Sequence, residues 1–320
     1  MRPYSRVYAT VNLDAVASNM RSMRDNLPAS TLIMGSVKAD GYGHGSVPVA
    51  KTIEPYVFGY AVATIDEGII LRRHGINKTI LILGVTHESR YEDLLRYDIR
   101  TAMFQYEKAK KLSDLALKQG KKAVVHLALD TGMSRIGMKA DREHAKEAAA
   151  IAALEGIEVE GLFTHFARAD ETDKSAYEEQ YRRYKEFLGY LKELGVKIPI
   201  RHCSNSAGIV ESLESNHMDM VRAGIAIYGM YPSDEVDHNS VKLTPAMEIK
   251  SCITYIKEIE AGTAVSYGGT FVADHTMKVA TIPVGYGDGY VRSLSGKGDV
   301  LIHGKRAAIL GRICMDQFMV

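Results

Sequence analysis

Eight apolar runs of strand length, spread over the first 230 residues with amphipathic stretches between them, constrain this chain more than any other feature. They are LIMGSV (32–37), VFGYAVA (57–63), TILILGV (79–85), IRTAMF (99–104), AVVHLAL (123–129), VEGLFTHF (159–166), IPIRHCS (198–204) and MVRAGIAIYGM (220–230). Each is near-continuous rather than alternating, the pattern of parallel strands covered on both faces. Between them the period is helical. Leu13, Val16, Met20, Met23 and Leu27 recur in steps of three and four behind Asn12, a residue type suited to an N-cap. Similar segments cover 106–119, 141–154 and 174–194. Eight strands alternating with helices predict a (β/α)8 TIM barrel, with an open doubly wound sheet as the alternative.

After YGMYP (228–232) the pattern changes. MEIKSCITYIKEI, TMKVATIPVGY, DVLIHG and RAAILGRI are short strand-like pieces separated by glycine turns, with no helical stretch among them. They predict a second, mostly antiparallel β domain. The division expected from sequence is 1–232 for the barrel and 233–320 for the β domain, with residues 1–13, through VYATVNL, placed to pair with the latter.

A chain of 320 residues that is 46% hydrophobic has enough apolar mass for a large core and a smaller one. Forty Lys and Arg against 39 Asp and Glu leave a net charge of +1, so no broad field favours nucleic acid or another polyanion. Cys203, Cys252 and Cys314 are widely spaced and odd in number, which suggests thiols in a reducing compartment and neither a disulfide framework nor a metal site. The amino terminus lacks the apolar segment of a signal peptide, and no run approaches membrane-spanning length. A cytoplasmic location is expected.

Barrels build their sites at the carboxyl ends of the strands. There the sequence sets Lys38, Arg135 in DTGMSRIG, His165 in THF, Asn205 and Ser206 in HCSNSAG, and Arg222, Gly224 and Ile225 in RAGI. Each has a plain alternative. Lys38 can mark a strand leaving the core, His165 can be a hydrogen-bonded core histidine, Arg222 can pair with a carboxylate and Ser206 can cap a helix. Taken together, the loops after the seventh and eighth strands suit a phosphate, and a strand-end lysine suits an amine nucleophile or base. The combination fits pyridoxal 5'-phosphate (PLP). An arginine beside its ring nitrogen would leave that nitrogen unprotonated, because guanidinium keeps its proton.

These residues stand in motifs that resemble those of the alanine racemase family, the barrel-type PLP enzymes. VKADGYGHG (37–45), DTGMSRIG, LFTHFARAD, HCSNSAG, RAGIAIYG, SYGGTF, VGYGDGY and GRICMDQFM follow in family order along essentially the whole chain. The resemblance implies interconversion of L- and D-alanine, supplying D-alanine for peptidoglycan, by a homodimer with shared active sites. It implies Lys38 as the cofactor-bearing lysine and the base on one face of the substrate. Tyr267 of SYGGTF is implied as the base on the opposite face, delivered across the dimer interface. Arg222 would face the ring nitrogen with His165 beside it, while Tyr42, Asn205, Ser206, Gly224 and Ile225 would hold the cofactor. Arg135, the Met315 backbone N–H and the Asp316 loop would bind the substrate carboxylate, and Tyr286 would line the access channel.

Two features depart from the family pattern. Many members carry a carbamylated lysine where this chain has Ala128, so Arg135 is expected to find another anion, a chloride or a neighbouring carboxylate. The family also continues for further β segments, with another pocket tyrosine, past the MDQFMV at which this sequence stops. Related alternatives are a barrel-type PLP decarboxylase, which usually has an acidic residue in place of Arg222, a PLP homeostasis protein, which lacks the β domain, and a racemase of broad specificity.

Overall fold

The structure is a computed structural model and describes residues 5–320. Two compact units are present: Asn12–Ala246, and the residues up to Val11 together with Met247–Val320. After strand β1 (Val7–Val11) come the strands of the larger unit: β2 (Leu32–Ser36), β3 (Gly59–Val62), β4 (Thr79–Ile82), β5 (Arg100–Met103), β6 (Ala123–Asp130), β7 (Met138–Lys139), β8 (Ile157–Phe163), β9 (Ile200–His202) and β10 (Met220–Ala223). Each of the eight apolar runs overlaps one of these strands, and β7 is a two-residue addition beside the end of β6. The order β5-β4-β3-β2-β10-β9-β8-β6 is parallel throughout, and β5 pairs with β6 to close it. The predicted barrel is therefore closed, and the open sheet is excluded.

Helix Leu13–Asp25 begins where Asn12 accepts the Ala15 N–H at 3.1 Å, and it buries Val16, Met20 and Met23. The helices Tyr106–Lys118, Arg142–Ala152 and Ser175–Glu193 match the other periodic segments. Helices Ser46–Ile53, Ile65–Arg73 and Tyr91–Tyr97 are additional to the sequence expectation.

The larger unit ends at Ala246, later than the expected division at 232. Val236, Val241 and Ala246 are buried in the barrel's own core cluster. The buried Asn19 amide donates to the carbonyls of Ile227 and Thr244 and accepts the Thr244 N–H at 2.7 Å, while Asn12 N–H donates to Ala246 at 2.8 Å. Segment 233–246 thus completes the hydrogen bonding of the first helix, and unpaired buried amides would be costly without it.

In the smaller unit β1 pairs antiparallel with β11 (Met247–Ser251). Strands β12 (Tyr255–Ile259), β15 (Met277–Ile282) and β18 (Phe318–Met319) form an antiparallel sheet, and β13 (Ala264–Val265) pairs with β14 (Phe271–Val272). A hairpin joins β16 (Asp299–Ile302) to β17 (Lys305–Ala308). Ile282, Val284, Ile309, Ile313 and Phe318 supply its core. Among the described residues no helix is long and apolar enough to cross a membrane.

Candidate active site

Strand β2 stops at Ser36, and the next turn is wound unusually. Ala39, Asp40, Gly41 and Tyr42 all have positive φ, between 51° and 62°. Such a run of left-handed residues is costly and persists only where neighbours over-determine it. Here the Ala39 N–H donates to Glu67 Oε1 at 2.7 Å, the Ser46 N–H to Asp40 Oδ1 at 2.8 Å and the Gly41 N–H to the Val37 carbonyl at 2.8 Å. Glu67 Oε2 also accepts from Ala63 at 2.7 Å and from Thr64 at 3.3 Å, so one carboxylate ties the turn after β2 to the turn after β3. Replacing Glu67 by Ala leaves these donors without their carboxylate. Glu67→Ala is expected to lower stability by about 1–3 kcal/mol, read by denaturant unfolding, and to speed amide exchange at Ala39 and Ala63.

The turn sets Lys38 half-buried at the end of the barrel strand. Burial lowers its ammonium pKa, and the charges of Arg135 and Arg222 lower it further against the opposing pull of Glu67. Tyr42 packs on Tyr228 with ring centroids 4.8 Å apart, and the Tyr228 hydroxyl donates to the Ser36 carbonyl at 2.9 Å.

After β6, Asp130 Oδ1 accepts the N–H groups of Gly132 and Ser134, each at 3.0 Å. This turn carries Arg135, which is exposed and makes no ion pair among the described residues. Its charge reaches Lys38, His165 and Arg222. Ala128 is buried against Ala102 and Phe163.

Arg222 on β10 is 4% exposed and touches no carboxylate among the described residues. Its NH1 donates to His202 Nδ1 at 2.9 Å and to the His202 carbonyl at 3.1 Å. Its NH2 donates to the carbonyls of Thr164 and Cys203 at 2.7 and 3.0 Å and to His165 Nδ1 at 3.3 Å. The plain alternative for Arg222, a paired structural carboxylate, is therefore excluded among the described residues. Nε is the guanidinium donor left over for another group. Since guanidinium only donates, His165 Nδ1 is an acceptor and carries its proton on Nε2. Burial, reinforced by Arg222, Arg135 and Lys38, brings the His165 pKa down to about 3, so the ring is neutral at pH 7.

The loop after β9 sets aside the plain alternative for Ser206. Asn205, not Ser206, is the N-cap of the short helix Ser206–Val210: its Oδ1 accepts the Gly208 N–H at 3.1 Å. Ser206 Oγ instead accepts the Gly224 N–H at 2.9 Å and the Ala226 N–H at 3.4 Å, joining the loops after β9 and β10. A Cβ on Gly224 would stand 3.3 Å from the Tyr42 hydroxyl and 3.6 Å from Ser206 Oγ, so a side chain there would crowd the point where those hydroxyls converge. Two hydroxyls and the backbone at Gly224 and Ile225 are a donor set suited to a phosphate.

The barrel thus gathers Lys38, Tyr42, His165, Ser206, Arg222, Gly224 and Ile225, with Arg135 near enough for its charge to act. Tyr267, Met315 and Asp316 belong to the smaller unit. There Ser266 donates to the Arg312 carbonyl at 2.5 Å and has φ 66°, and Tyr267, 68% exposed, opens the next turn. The Tyr286 N–H donates to the Cys314 carbonyl at 3.0 Å and the Gly287 N–H to the Met315 carbonyl at 2.7 Å. Tyr286 and Met315 are therefore neighbours, and Met315, 62% exposed, is not a core residue.

Family models for the alanine racemase N-terminal and C-terminal domains match residues 11–232 and 246–320. The chain belongs to the alanine racemase family. Alanine racemase from Desulforamulus reducens is 45% identical over 315 residues, which is 98% of this chain and 85% of that protein. The solved alanine racemase from Clostridium difficile is 41% identical with a TM-score of 0.92, covering 99% of this chain and 83% of that one. Alanine racemase from Bartonella henselae, solved with covalently bound pyridoxal phosphate, is 27% identical with a TM-score of 0.86, over 99% of this chain and 86% of its own. Alanine racemases are PLP-dependent isomerases, and the donor set described above fits that cofactor. Sequence reasoning passed over Glu67, although Thr64 and Glu67 spell a capping box, and over His126 and His202, which lie inside apolar runs.

Proposed function

We propose that this chain is a PLP-dependent racemase that interconverts L- and D-alanine. The observation carrying the reading is the pairing of a half-buried lysine of lowered pKa with a buried arginine held only by neutral acceptors. PLP, held through Lys38, supplies the electron sink that acidifies the substrate α-carbon. Tyr42, Ser206 and the backbone at Gly224 and Ile225 would bind its phosphate, and Asn205 caps the helix in their loop. Burial brings the Arg222 pKa down to about 10, still above working pH. Arg222 would therefore donate a hydrogen bond toward the ring nitrogen without protonating it, which would weaken the sink and disfavour side reactions such as transamination.

Lys38 Nζ takes or returns the α-proton on one face, because its lowered pKa keeps more of the amine free near neutral pH. The Tyr267 hydroxyl, contributed by the second subunit of a homodimer, serves the other face. Arg135 and the Met315 N–H hold the substrate carboxylate beside the Asp316 loop. A cytoplasmic enzyme supplying D-alanine for peptidoglycan is the role this chemistry suits.

Optical rotation tests the reading. With PLP, a solution of L-alanine is expected to fall to zero rotation with no loss of amino acid. Release of carbon dioxide from a basic amino acid, with alanine untouched, would instead favour the decarboxylase alternative.

A further inference from the structure

A line of polar groups runs through the barrel interior away from the site. His202 and His126 are fully buried, at 0% exposure, and Glu160 is part-buried on β8. His202 Nε2 lies 2.8 Å from His126 Nδ1, and His126 Nε2 lies 2.9 Å from Glu160 Oε2. Arg100 on β5 stands at the far end, its Nε 3.5 Å from Glu160 Oε2 and its NH1 2.8 Å from Asp98.

The donors can be oriented without ambiguity. Arg222 only donates, so His202 Nδ1 accepts and the His202 proton sits on Nε2. That N–H points at His126 Nδ1, which must then accept, placing the His126 proton on Nε2, where it meets the Glu160 carboxylate. Both rings are neutral in this arrangement, in keeping with burial lowering their pKa values. The opposite orientation would aim an N–H of His202 at the Arg222 guanidinium. Phe163 stacks on His202 at 5.3 Å, and a Cβ on Gly161 would come within 2.4 Å of His126 Nδ1, so the rings have little room to turn.

We propose that Glu160 is a positioning residue for the racemase site: as the terminal acceptor it holds, from the far end, the His126 and His202 tautomers that Arg222 selects, and so steadies the orientation in which Arg222 presents Nε to the cofactor. The inference rests on the function proposed above. It also accounts for a carboxylate within the barrel, far from any role in binding substrate. What Glu160 supplies is an acceptor, so an amide oxygen can replace it. Loss of the acceptor leaves the His126 Nε2–H buried and unpaired, so the two rings are no longer held from both ends.

Histidine-selective 15N spectra test this in the chain without substrate and need no activity. His126 and His202 are each expected as a single Nε2–H tautomer, and an Nδ1–H signal for His202 would overturn the proposal by itself. In the PLP-loaded enzyme, Glu160→Gln is expected to keep both tautomers and turnover. Glu160→Leu is expected to shift and broaden the His126 and His202 ring signals and to lower kcat about tenfold with KM changed less than twofold. Unchanged ring signals and kcat in Glu160→Leu would contradict the proposal, as would an equal loss in Glu160→Gln. If Glu160→Leu does not fold, the Gln variant and the unaltered spectra still decide. If the unaltered chain fails to racemise alanine, the function is refuted while the tautomers still report on the relay.

Discussion

Lys38→Ala is expected to abolish racemisation, by at least about 10³-fold, while leaving the fold intact. The amine serves twice in the proposed function, as the group that holds the cofactor and as the proton carrier on one substrate face. A methyl group can do neither. Structural damage is not expected, because Lys38 Nζ makes no hydrogen bond or ion pair among the described residues. The sign of the stability change follows from its environment. Its folded pKa is lowered by burial and by Arg135 and Arg222, so below the ordinary lysine value of 10.5 the charged form is penalised in the folded chain. Removing it is expected to leave the melting temperature at pH 7 unchanged or raised. A variant that loses PLP absorbance and activity but keeps its melting temperature meets the expectation. A sharp drop in melting temperature would show that Lys38 holds the fold.

Tyr267→Phe is expected to separate inversion from proton exchange. With only Lys38 left to move the α-proton, it should still be removed from and returned to one face, so one enantiomer exchanges with solvent deuterium without inverting. Racemisation should fall by about 10²–10⁴-fold. Because the two enantiomers are equal in free energy, kcat/KM must fall equally in both directions, and only the exchange experiment reveals the asymmetry. Tyr267 is 68% exposed, so loss of its hydroxyl should cost less than about 0.5 kcal/mol. Proton nuclear magnetic resonance of L- and D-alanine incubated separately in deuterated buffer is the measurement. Inversion of both at the unaltered rate would remove Tyr267 from the mechanism.

How much of this was legible depended on whether the signal was local. The strands were legible because burial on both faces leaves a continuous apolar run, as in TILILGV and AVVHLAL. The helix Ile65–Arg73 was not, although Thr64 and Glu67 mark its start, because its apolar positions are few and closely spaced. The boundary at Ala246 depends on Asn19 meeting Thr244 across more than 200 residues of chain, and no sequence pattern reports that. The strand-end cluster of Lys38, His165, Ser206 and Arg222 followed from a general property of barrels. Tyr267, one of 18 tyrosines, came from the family resemblance alone. The relay from Arg222 to Glu160 joins four strands, so its members read as stray polar residues in apolar runs until the barrel brings them together.

The central claim is that the site around Lys38 inverts alanine by moving its α-proton. Incubating L-alanine with the PLP-loaded chain in deuterated water, followed by chiral separation and mass analysis, tests it most directly. The predicted result is D-alanine carrying deuterium at the α-carbon, accumulating until the enantiomers are equal. L-Alanine recovered unlabelled and uninverted, from a chain whose Lys38 carries the cofactor, would contradict it.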